Sequence, residues 1–124
     1  MLGPVGTVVI VIVAVFFAGM GAYALAAPAV MLRPFGFDVD NAVARSEVRA
    51  VYGGFGLAIA GVLGYASTTS GSLRSGIVLT VAVALAGMAF GRLVSALIEG
   101  RIAFYPNWFY FLVEAIAATA LLVS

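Results

Sequence analysis

Apolar residues fill four long runs, and the polar residues collect in the three gaps between them. The runs predict an all-α polytopic membrane protein, a four-transmembrane-helix bundle in one domain. Its helices are expected over roughly 5–27, 41–66, 74–98 and 107–123, each near the ~20 apolar residues needed to cross a bilayer. The first run ends at Pro28. Its Ala24-Leu25-Ala26 resembles a signal-peptidase site, but no Lys or Arg precedes it, so a retained helix is the expectation. In the first gap, Met31-Leu32-Arg33-Pro34-Phe35-Gly36-Phe37 mixes apolar residues with breakers, as a segment lying in the headgroup layer would. Asp40 or Asn41 then caps the second helix. Calcium binding by Asp38-Val39-Asp40-Asn41 is the weaker reading, because no Gly and terminal Glu follow at EF-hand spacing. Ser67-Thr68-Thr69-Ser70-Gly71-Ser72 makes the second gap, and Asn107 is expected to cap the last helix.

Small residues mark candidate packing faces. At ~100° per residue, Arg49, Gly53, Gly56, Ala60 and Gly64 share one face of the second helix, with Gly54 beside them. Gly87 and Gly91 form a G-x-x-x-G pair in the third helix, extended by Ala84 and Ser95. Ala14, Ala18, Ala22 and Ala26 make a ladder in the first. Such stripes let helices approach closely where packing replaces the hydrophobic effect. Gly56 and Gly91 are therefore expected at helix contacts.

Composition narrows the chemistry. Of 124 residues, 65% are hydrophobic and 9% charged, against roughly a quarter charged in soluble domains. There is no Cys, His or Lys. Metal and haem sites of the usual ligands, thiol chemistry and Schiff bases are not expected, and neither is any cofactor. No basic patch suggests nucleic acid. Arg33, Arg45 and Arg101, with Arg49 and Arg92 just inside, fall at one side of the bundle, and only Arg74 at the other. The positive-inside rule makes the arginine-rich side cytoplasmic and places both termini outside the cytoplasm of a bacterial inner membrane. Phe104, Tyr105, Trp108, Phe109 and Tyr110 read as an interfacial belt.

Three ionisable residues lie within helices: Arg49, Arg92 and Glu114. Arg92 sits seven residues before Glu99, and Glu114 seven after Asn107, so both lie about 10 Å from the same side. On antiparallel neighbours they are expected to pair, because a lone charge at that depth is costly. With Arg49, Tyr52, Ser95 and Glu99 they would form one polar pocket, either a binding site or an ion-pair network fixing register. No catalytic residue is assigned.

Glu47-Val48-Arg49-Ala50-Val51-Tyr52-Gly53-Gly54, then Gly91-Arg92-Leu93-Val94-Ser95 with Glu99-Gly100, and a Glu in the last helix resemble the bacterial domain-of-unknown-function 4345 family. The resemblance spans the second to fourth helices and implies small four-helix membrane proteins. It marks Arg49, Tyr52, Gly53, Gly54, Arg92, Ser95, Glu99 and Glu114 as motif positions, and it implies no activity.

The expected function is a non-enzymatic accessory subunit of a larger inner-membrane complex, or a homo-oligomer, in contact with membrane lipids. An MCE-type lipid transporter is the preferred host, a choice resting on no residue. The alternative is a small lipid- or quinone-binding or modifying enzyme built on the Arg/Glu pocket. A proton-coupled carrier using Glu114 is disfavoured, since four helices rarely enclose a path alone.

Overall fold

A computed structural model describes residues 4–100 and 104–124. Among them there are five helices and no strand. They are α1 (Pro4–Ala26), α2 (Pro28–Leu32), α3 (Ala42–Ser67), α4 (Gly71–Glu99) and α5 (Phe109–Leu122). The expected position of Arg101 lies outside the described residues.

The chain punctuates these helices with identifiable chemistry. Pro28 opens α2 from its first turn, where a missing N–H is harmless. A 3₁₀ turn, Arg33–Phe35, follows and ends at Gly36 in the left-handed region, φ 77°. Asn41 caps α3: its side-chain oxygen accepts from the Ala44 N–H at 2.8 Å. At the far end of α3, the Ser67, Thr68 and Thr69 hydroxyls donate to the carbonyls of Gly64, Tyr65 and Ala66. They satisfy acceptors the helix leaves over. α4 starts at Gly71, earlier than the expected residue 74, because the apolar pattern gives no signal in Gly71-Ser72-Leu73. Asn107 does not cap α5. It lies in a wide π turn, Phe104–Trp108, and no side-chain cap opens the helix. Its Nδ2 is buried without a partner among the described residues.

α1, α3 and α4 are long and apolar enough to cross a membrane. Only 33, 22 and 28% of their most apolar windows are buried inside the protein, so most of that apolar surface faces outward. Ile12, Val15, Val83, Phe90 and Ile116 are among the outward side chains. A soluble monomer does not present so continuous an apolar surface; a lipid environment accounts for it.

Neighbours in sequence pair in space. α1 lies along α3 and α5 along α4, while α1 and α5 touch at few points. The core fills the centre, with Ile10, Val13 and Phe17 of α1, Leu63 of α3, Val81 and Leu85 of α4, and Ala118 and Leu121 of α5. A second cluster, Ala24, Leu32, Val39 and Val48, ties α2 and the following loop onto the end of α1 and the start of α3. At the opposite end Arg74 donates to the Thr7 hydroxyl at 2.9 Å and to the Thr69 carbonyl at 3.3 Å. Gly6 lies beside Ser124 there. The long helices thus run alternately up and down.

The α1–α3 contact is backbone-close. A Cβ on Gly21 would meet the Gly53 carbonyl oxygen at 2.8 Å and the Leu57 nitrogen at 2.9 Å. One on Gly56 would meet the Phe17 carbonyl oxygen at 3.1 Å and the Gly21 Cα at 3.2 Å. Gly53 faces the Leu25 side chain at 2.8 Å. The face of α1 that enters the protein is therefore Gly6, Ile10, Val13, Phe17, Gly21 and Ala24, not the Ala14/Ala18/Ala22/Ala26 ladder. Gly64, Gly87 and Gly91 meet nothing within 4 Å, and Gly54 only the Arg49 carbonyl of its own helix, at 3.8 Å. Gly91 is thus not at a helix contact within this chain. In helices that are apolar all round, a small-residue stripe does not reveal which side finds a neighbour.

Candidate functional site

Arg92 of α4 and Glu114 of α5 form a two-pronged ion pair. Arg92 Nε donates to Glu114 Oε1 at 2.7 Å and Nη2 to Oε2 at 3.1 Å. This parallel fork is the strongest common geometry for the two groups. Their side chains are 24% and 6% exposed, so the carboxylate is the buried partner. Depth matching on an antiparallel hairpin brings them together: Arg92 lies about two turns before the end of α4 and Glu114 about one and a half turns after the start of α5.

Tyr110 stands one turn before Glu114 and so shares its face. Its ring centroid lies 5.6 Å from the Arg92 guanidinium carbon, in cation–π range. Phe35, from the turn after α2, stacks on Tyr110 with centroids 5.6 Å apart and planes 26° from parallel. A continuous line of contacts therefore runs from the α2 turn through Tyr110 and Arg92 to Glu114.

Beside this line is a cavity of about 410 Å³. α1 contributes Phe16, Met20 and Tyr23, and the α2 segment Met31, Leu32 and Phe35; Tyr52, Tyr105, Tyr110 and Glu114 complete its polar part. Two of those tyrosines come from irregular backbone. Tyr52 lies in a π-helical stretch of α3, Arg49–Gly54, and Tyr105 in the π turn before α5. Such bulges recur at functional sites because they re-aim a side chain without ending the helix. A groove of about 490 Å³ continues from the cavity along the gap between α1 and α5. The two share Phe16, Phe17 and Leu85. Apart from those, Val9, Ile12, Leu112, Val113 and Ile116 line it, and its wall is almost wholly apolar.

The residues expected to form one polar pocket divide. Arg92 and Glu114 pair, and Tyr52 lines the cavity that Glu114 lines. Arg49 turns to α1 instead, where Nε donates to the Leu25 carbonyl at 3.0 Å. α3 packs on α1, whose last carbonyls lack helical partners, and a guanidinium is a good donor for one of them. Ser95 is half-buried and Glu99 exposed at the end of α4; neither joins the pair. Tyr23, Phe35 and Tyr110 are site residues that sequence reasoning missed or read only as part of a belt. The one signal was the spacing of four between Tyr110 and Glu114. Among the described residues no group of three or more acidic, His or Cys side chains is arranged to hold a metal.

A family model described as Domain of unknown function (DUF4345) matches residues 5–124. No curated protein and no solved structure matches the chain.

Proposed function

The chain belongs to the DUF4345 family, and we propose that it works as a non-enzymatic inner-membrane subunit that holds one membrane lipid between its helices. The observation that carries this reading is the cavity beside Glu114, joined to an apolar groove along the α1–α5 gap. Its volume falls within the about 300–1,000 Å³ usual for small-molecule sites. A lipid can enter sideways from the bilayer, laying its chain in the groove and its head among the tyrosines. Both Glu114 oxygens are taken up by Arg92, which favours holding over reacting.

Four spans are part of the proposal, with α5 as the fourth. It is apolar, runs antiparallel along α4 and is prolonged by the Phe104–Trp108 turn. Arg33, Arg45, Arg49 and Arg92 favour a cytoplasmic position for the α2 end, with Arg74 opposite. An alkaline-phosphatase fusion after Ser124 is then expected to be active, and a cytoplasm-only reporter at the same place silent. The reverse result overturns the orientation.

The lipid reading predicts a stoichiometric lipid in protein purified from native membranes in mild detergent, read by native mass spectrometry. Ala117→Phe, which fills the groove wall, should release most of it while leaving the fold intact. A lipid-free protein of wild-type stability sinks the reading. A second reading, docking into a larger complex, is favoured by Gly64, Gly87 and Gly91, which face open space and would admit a partner helix. The same purification tests it through a co-purifying protein, and an MCE-type lipid transporter is the host to test first.

A further inference from the structure

We infer that the held lipid is of the quinone type: a flat, uncharged ring bearing carbonyl acceptors on an apolar chain. This rests on the lipid-holding reading above and names its ligand class.

The charge balance of the cavity comes first. Glu114 is the one charged residue among its described lining residues. Arg92 already neutralises it through both oxygens. A phosphate head in this place would therefore sit beside a carboxylate with no uncommitted cation among the described lining residues. Beside a buried carboxylate an unbalanced negative charge is disfavoured. The lining therefore favours a neutral head over an anionic one.

The donors come next. Tyr23, Tyr52, Tyr105 and Tyr110 all line the cavity. Tyr23 comes from α1 and Tyr52 from α3, and no hydrogen bond among the described residues engages either hydroxyl. Phenol hydroxyls donate well to carbonyl oxygens. A head with carbonyl acceptors can accept from both.

Shape narrows the class further. The stacked pair Phe35 and Tyr110, with Tyr105 tilted against Tyr110 at 6.0 Å, gives the cavity an aromatic wall. A planar ring gains edge-to-face contact with such rings, which a glycerol ester head does not. The chain would follow the groove between α1 and α5, where its lining residues are Val, Ile, Leu, Phe and Ala only.

The test uses the full-length protein, stripped of lipid in detergent, with decylubiquinone, phosphatidylglycerol and dioleoylglycerol as probes. Native mass spectrometry should show a one-to-one decylubiquinone adduct that the other two displace poorly. Tyr23→Phe and Tyr52→Phe keep the rings and remove the hydroxyls. Each should weaken decylubiquinone binding about 5- to 10-fold, the effect of one hydrogen bond. If phosphatidylglycerol or dioleoylglycerol binds as tightly, the quinone assignment fails and the lipid-holding reading survives. Decylubiquinone binding that neither Tyr→Phe change weakens overturns the assignment too. If none of the three binds, both readings fall together.

Discussion

Arg92→Gln should cost about 3–5 kcal/mol of stability, and Glu114→Gln measurably less. The asymmetry follows from where each group is left. Without Arg92, the Glu114 carboxylate stays in place 6% exposed, with no other cation bonded to it. Without Glu114, the Arg92 guanidinium keeps the Tyr110 ring at 5.6 Å and is already 24% exposed. Its long stem can carry the charge toward the nearer membrane surface. The double variant should recover part of the loss, because neither buried charge remains. Unfolding in mixed micelles, followed as a four-member cycle, measures the coupling. Equal single effects that simply add would mean the fork contributes nothing as a pair.

The second large effect concerns Gly21. A methyl group there would press on backbone atoms of α3 at 2.8 and 2.9 Å, and backbone cannot swing aside as a side chain can. Gly21→Ala should therefore force α1 and α3 apart and cost about 1–3 kcal/mol, with Gly21→Leu worse. Gly53→Ala meets Leu25 at Cγ and Cδ2, a partly exposed side chain that can rotate where backbone cannot, so a smaller loss is expected. Gly91→Ala should be neutral or slightly stabilising in the isolated protein, because the position is open and alanine favours helix. The three alanine variants form a graded series on one unfolding assay. A loss at Gly91 equal to that at Gly21 would refute this assignment of the packing faces.

How much of this could be read in the chain differs by residue. The family, the helical class and three long apolar helices were legible, since runs of that length have few other meanings. The nearness of Arg92 and Glu114 followed from counting two turns inward from a shared end. Gly53 and Gly56 were visible as a small-residue stripe. Gly21 was not, because α1 is apolar on every side and carries no contrast to say which face turns inward. The same lack of contrast made the Gly87/Gly91 pair look like an internal contact. Arg49 was misplaced for a different reason. Its partner is a backbone carbonyl, and every residue has one, so no sequence pattern singles out Leu25. The cavity was illegible because it arises from two helices failing to meet, and from π turns that shift Tyr52 and Tyr105.

Pairing α1 with α3 and α4 with α5 bears on how the protein is made. Each pair is one stretch of chain, so on the four-span proposal each can enter the bilayer as one hairpin while synthesis continues. Both charges of the Arg92–Glu114 fork belong to the second pair. That hairpin can neutralise itself while crossing into lipid, before it meets the first. The charge most costly to insert thus travels with its own counter-ion, and assembly of the two halves is left to the apolar core and to the Arg74–Thr7 bond at the opposite end.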